Sequence, residues 1–184
     1  MFFRNSYRPM DLFLKKYFGK KKLIGIEVGV WKGEHAKQML KLLNLKTLYL
    51  VDDYHPFTEG NISYSKADMD KIMFEARRKL WEYYPRPLFF DVPSTTFTTK
   101  YYTPKLDFVY IDATHTYEAV KADAKAYYKI LPEGAVLGGH DFEDRFQGLI
   151  RAVSEVAYET KSKLHFKSPD WWIIKGEPNE DLFS

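Results

Sequence analysis

Two stretches constrain this chain more than any others. Glu27-Val28-Gly29-Val30-Trp31-Lys32-Gly33 and Asp107-Phe108-Val109-Tyr110-Ile111-Asp112-Ala113-Thr114-His115-Thr116-Tyr117 each read as an apolar strand that ends near an acid and turns into a helix. In an open parallel sheet such strand ends lie side by side along one rim, and ligands bind in the crevice where strand order reverses. The pattern therefore gathers carboxylates, glycine backbone and a histidine around one crevice.

The rest of the sequence repeats the alternation. Tyr7 to Phe18 has the apolar spacing of an amphipathic helix, and Lys15, Lys16, Lys20, Lys21 and Lys22 read as its solvated end. Leu23 to Val28 is a buried strand, Lys32 to Leu43 a helix, and Leu45 to Val51 a second strand that runs into Asp52 and Asp53. Tyr54 to Tyr64, with Pro56, Gly60 and Asn61, reads as a loop that can act as a lid. Ser65 and Asp68 fit a capping pattern at the start of a helix to Tyr84, which Pro85 and Pro87 stop. Leu88–Val92, Leu106–Ile111 and Ala135–Gly138 are the third to fifth strands. Thr116 caps a helix to Leu131, and Gln147–Lys161 is the last helix. Leu164–Lys167 and Trp171–Lys175 are joined by only Ser168-Pro169-Asp170, too short a link for a parallel crossover, so they form an antiparallel hairpin. The expected fold is α/β: a doubly wound, Rossmann-like, mostly parallel sheet to which the C-terminal antiparallel hairpin adds one strand.

The 184 residues fit one domain, with 1–22 as an N-terminal helix or lid, 23–176 as the core and 177–184 as a frayed tail. A net charge of +3 does not argue for a nucleic-acid partner. The absence of cysteine excludes disulfides, thiolate metal sites and a cysteine nucleophile. No apolar run approaches the roughly 18 residues of a membrane span, and the N-terminus lacks the apolar core of a signal peptide. The expectation is a cytoplasmic protein without a membrane partner; the oligomeric state is open.

At these residues the chain resembles the class I S-adenosylmethionine-dependent methyltransferases. Within them it is most similar to a small single-domain group, the methyltransferase-24-like proteins. Their first motif is acid-x-Gly-x-aromatic-x-Gly, here Glu27 to Gly33. Ile-Asp-x-x-His-x-Tyr-Glu follows the fourth strand (Ile111 to Glu118), Gly139-His140-Asp141 follows the fifth, and Ser168 to Lys175 fits the closing hairpin. Trp31 stands where dinucleotide-binding loops have a middle glycine, which argues against a nucleotide-dependent oxidoreductase. The alternatives are that oxidoreductase and a non-catalytic cofactor-binding module.

The resemblance implies S-adenosylmethionine as cofactor, held by Glu27, Gly29, Val30, Trp31 and Gly33. Gly29 lets backbone approach the ligand, the helix after Gly33 turns its N-terminus to the ligand carboxylate, and Glu27 accepts from the ammonium. Asp52, with Asp53 beside it, suits the ribose hydroxyls. Asp91, Val92 and Ser94 lie by the adenine, Ser94 being equally a helix cap. Asp112, with His115, flanks the fourth strand's end, where a methyl acceptor would meet the sulfonium. His115, His140 and Asp141 are the candidate acid–base groups. Asp112, His140 and Asp141 are a tentative divalent-metal set, since some related O-methyltransferases bind a cation at matching strand ends. The acceptor is expected to be a small molecule or sugar, methylated on oxygen rather than nitrogen by in-line transfer. Lys105, Arg145 and Arg151 are more distant candidates for an anionic acceptor, and His35, His55 and His165 read as incidental.

Overall fold

In the computed structural model, residues 7–101 and 105–180 are described. The elements run α1 (Pro9–Phe18), β1 (Leu23–Val28), α2 (Glu34–Leu42), β2 (Leu45–Val51), β3 (Phe57–Glu59), β4 (Ile62–Tyr64), α3 (Lys66–Leu80), β5 (Pro87–Phe90), α4 (Ser94–Lys100), β6 (Phe108–Ile111), α5 (Tyr117–Ile130), β7 (Val136–Gly139), α6 (Gln147–Glu159), β8 (Ser162–Lys167) and β9 (Asp170–Pro178). Seven strands form one sheet in the order β5-β2-β1-β6-β7-β9-β8. The pairs β5/β2, β2/β1, β1/β6 and β6/β7 are parallel, while β7/β9 and β9/β8 are antiparallel. The chain winds outward through β1, β2 and β5, then returns to the other side of β1 for β6 and β7. The reversal therefore lies between β1 and β6, as the two motifs require.

Alternating side chains sort the sheet into two apolar layers. Val109 and Ile111 of β6 pack with Val120, Tyr127, Leu149 and Val153 from α5 and α6. Phe108 and Tyr110 face the other way, with Met10, Leu14, Met39, Leu40 and Leu80 from α1, α2 and α3. Helices on both faces explain why the central strands are apolar throughout rather than alternating.

The hairpin contributes two strands to the sheet rather than one, because Leu164 to Lys167 pair with β9 while β9 itself pairs with β7. The tail begins later than expected, since β9 continues to Pro178; residues 181–184 lie outside the described ones. The Tyr54–Tyr64 loop contains a small antiparallel hairpin, β3–β4. Ser65 does cap α3: its hydroxyl accepts from the Asp68 backbone while the Asp68 side chain accepts from Ser65 N–H. Among the described residues no helix is long and apolar enough to cross a membrane.

Candidate active site

A cavity of about 650 Å³ opens at the C-terminal ends of β1 and β6. Its walls include Glu27, Gly29, Val30, Trp31, Asp52, Asp53, Asp112 and His115 from the expected set. The turn after β1 is tightly held. Gly29 and Gly33 take positive φ values of 84 and 73, and Trp31 sits in the same left-handed region at φ 50. Asp52 explains how Trp31 is kept there. Its Oδ2 accepts from the backbone N–H of Val30 (2.8 Å) and Trp31 (2.9 Å), and its Oδ1 from that of Tyr54 (3.0 Å). Burial raises the Asp52 carboxyl, and the three backbone donors work against the rise. The close approach at Gly29 is to the protein itself: a Cβ there would overlap the carbonyl of Asp112. Gly33 is tucked against Ala76 and Leu80 of α3 and does not line the cavity.

Glu27 is buried, and its Oε1 lies 2.8 Å from Nδ1 of His35. Nε2 of His35 faces both oxygens of Asp11, at 3.2 and 3.1 Å. Among the described residues, Oε2 of Glu27 has no hydrogen-bond partner although it is buried. Burial pushes Glu27 up. It would also lower His35, but the two carboxylates outweigh it and lift His35 to about 9. With a carboxyl oxygen at each ring nitrogen, a proton on both is the arrangement that the raised His35 favours near neutral pH, and it makes the ring cationic. His35 is thus a buried charged group on the cavity wall rather than an incidental residue.

Arg8 also reaches the cavity. Its Nη1 donates to Asp112 Oδ2 (2.7 Å) and to the Tyr110 hydroxyl (2.9 Å). Burial alone would lower its affinity for the proton, and Tyr110 with Asp112 more than offsets this, so Arg8 stays charged. Tyr110 in turn donates to Asp170 Oδ1 (2.8 Å), whose Oδ2 accepts from the Met10 backbone (2.8 Å).

At the ends of β6 and β7, His115 Nε2 lies 2.6 Å from Asp141 Oδ2, and His140 Nδ1 lies 3.1 Å from Asp141 Oδ1. Burial works to raise the Asp141 carboxyl, but the two histidines win and hold it well below the ordinary carboxylate range. Asp141 adopts φ 62, and the His115 ring stacks on Phe146 at 4.6 Å. Asp112, His115 and Asp141 each present one ligating atom within 4.8 Å of the others. His115 joins Asp112 and Asp141 in this cluster, and the expected His140 lies beside it, its Nδ1 3.9 Å from Asp112 and 3.1 Å from Asp141.

Asp91, Val92 and Ser94 do not line the cavity. Asp91 is held by Arg77 at 2.6 and 2.8 Å. Ser94 is the first residue of α4 rather than its cap, and its hydroxyl donates to Asp123. Arg145 and Arg151 are spent on Glu143 and Glu155, both at 2.8 Å. Lys105 is not on the cavity wall. His165 pairs with Glu177 (2.7 Å) in the terminal hairpin, while His55 lines the cavity and meets Asp53 at 2.5 Å. Arg8, Asp11 and His35 were missed. The available signal was a titratable residue inside an apolar helical stripe, Asp11 beside Met10 and Leu14, His35 beside Ala36 and Met39.

Residues 26–142 match a protein family described as a methyltransferase domain. No curated protein sequence matches the chain. Among solved structures, the fold is similar to calicheamicin methyltransferase CalS11, at 15% identity and TM-score 0.65 over 91% of this chain and 78% of that one. It is also similar to an rRNA methylase from Streptococcus thermophilus (10% identity, TM-score 0.63, 96% of this chain and 100% of that one). A third likeness is to a Streptococcus mutans protein in complex with SAH (15% identity, TM-score 0.61, 90% of this chain and 96% of that one).

Proposed function

The chain belongs to the methyltransferase-domain family that spans residues 26–142, and from that membership we propose that it moves the methyl group of S-adenosylmethionine to an oxygen of a small molecule or sugar. The observation that carries the cofactor reading is the buried Oε2 of Glu27, a residue of the cavity wall, which has no partner among the described residues. A buried carboxylate oxygen lacking a donor is costly, and an ammonium group satisfies it. The other surroundings fit the same ligand. Asp52 keeps a free lone pair on Oδ1, and Asp53 lines the wall beside it, which suits a ribose diol. When bound, S-adenosylmethionine supplies an electrophilic methyl on a sulfonium.

The chain's own residues do the remaining work. Glu27 and the loop tied down by Asp52 orient the donor, a positioning task that removes much of the barrier. Asp141 holds the His115 ring at Nε2, and His115 is the group that takes the proton from the acceptor hydroxyl as it becomes nucleophilic. Arg8 keeps Asp112 paired at the floor. The sugar or small-molecule acceptor accords with CalS11, which is described as a TDP-rhamnose 3′-O-methyltransferase. A cavity of about 650 Å³ leaves space for a compact acceptor.

The test is release of S-adenosylhomocysteine across a panel of sugar nucleotides, phenols, amines and RNA. Turnover with a hydroxyl acceptor, lost in His115→Ala with cofactor affinity kept, is the expected result. Turnover only with RNA or an amine, or an active His115→Ala, contradicts it. A divalent cation is a second reading of the same cluster, favoured by the 4.8 Å convergence of Asp112, His115 and Asp141. Those three residues would hold it, and it would lower the acceptor's pKa. Activity abolished by a chelator and restored by magnesium or manganese would select that reading.

A further inference from the structure

The buried trio Asp11, His35 and Glu27 has an uneven charge. Two carboxyl groups flank one imidazole at hydrogen-bond distance, and with both carboxyls ionised around an imidazolium the group carries one net negative charge. All three residues are at most 5% exposed, and the one oxygen left over, Glu27 Oε2, belongs to a residue of the cavity wall. Nearby Arg8 does not cancel that charge, because it is paired with Asp112 at 2.7 Å. Without Asp11, His35 and Glu27 would neutralise each other, and the cavity would offer a cation little. Asp11 lies on α1, whose backbone is fixed through Met10 N–H to Asp170.

Resting on the cofactor reading above, we infer that Asp11, acting through His35, sets the negative charge with which Glu27 receives the cofactor's ammonium, so that docking of α1 and binding of the amino-acid end of the cofactor are one linked event. Asp11 and His35 are positioning residues in this scheme; only Glu27 touches the ligand. Linkage makes the effect mutual: an ammonium at Glu27 tightens the trio and with it the helix.

Two probes separate this from a merely structural role. S-adenosylhomocysteine carries the ammonium, and 5′-methylthioadenosine lacks the amino-acid end. In calorimetric titrations Asp11→Asn should weaken S-adenosylhomocysteine by about tenfold, the scale of a lost charged interaction, and leave 5′-methylthioadenosine within about twofold. Hydrogen exchange on the unmodified protein gives an answer that does not depend on the variant folding. S-adenosylhomocysteine should slow exchange of amides in residues 9–18, and 5′-methylthioadenosine should not. Equal losses for both ligands in the variant, or equal protection of α1 by both, overturn the linkage while leaving the cofactor reading intact. Failure of the unmodified protein to bind either nucleoside overturns the cofactor reading and the linkage together.

Discussion

At Gly29 the backbone turns through φ 84, and a Cβ would overlap the Asp112 carbonyl on the neighbouring strand end. The motif glycine therefore joins β1 to β6 as well as bordering the cavity. Gly29→Val should cost stability on the order of 2–5 kcal/mol, summing left-handed strain and overpacking, rather than sparing the fold as a purely ligand-facing glycine would. A urea midpoint equal to that of the unmodified protein would refute this. Asp52→Ala removes the acceptor of three backbone donors, and the expected loss is about 1–3 kcal/mol of unfolding free energy, accompanied by weaker cofactor binding; an unchanged denaturation curve would count against it. His35 makes a signed prediction about pH. Its folded value of about 9 stands above its ordinary 6.5, so its contribution is full below 6.5 and disappears as pH rises through 9. The groups facing it are Asp11 on α1, Glu27 on β1 and the Tyr110 ring on β6 at 4.2 Å. Unfolding free energy should therefore fall across that window, and the fall should be smaller in His35→Gln; matching pH profiles for the two proteins would contradict the assignment. Motif spacing made Glu27, Asp52, Asp112 and His115 legible, because each sits at or beside a strand end. It could not reveal Arg8, Asp11 or His35: Arg8 and Asp112 are 104 residues apart and Asp11 and His35 are 24 apart, pairs that meet only once α1 docks, while Glu27 and His35, 8 apart, meet only once α2 folds back along β1.

The helix α1 depends on distant parts of the chain. Asp170, at the start of β9 and fully buried, accepts from Met10 N–H and from the Tyr110 hydroxyl. Asp170→Ala strands both donors, and about 2–4 kcal/mol of stability should be lost, at 1–3 per unsatisfied group less relaxation. Amides of α1 should also exchange faster than those of α5; uniform exchange across the two helices would remove the argument. Helix and strand alternation was readable because apolar periodicity changes cleanly between elements, as at Val28 to Glu34. The β3–β4 hairpin escaped because its strands are three residues each, although the Gly60-Asn61 link between Glu59 and Ile62 is a hairpin signal. The terminal hairpin was readable as antiparallel from its short link. Its second contribution to the sheet was not, because nothing in a strand's own pattern says which neighbour it will pair with.

For the whole molecule, the decisive fact is the reversal of strand order between β1 and β6. It brings two motifs that are remote in sequence to adjoining strand ends, where Gly29 and Asp112 touch and one cavity takes walls from both. The helix-bearing faces then supply what the rim lacks: α1 delivers Arg8 and Asp11, α2 delivers His35, and the turn before α6 delivers Phe146 against His115. A crystal structure of the protein grown with S-adenosylhomocysteine is the direct test. The nucleoside should lie in the cavity between β1 and β6, with its ammonium within hydrogen-bond reach of Glu27 and its ribose toward Asp52 and Asp53. Ligand bound elsewhere, or in the cavity with the ammonium directed away from Glu27, would contradict that placement.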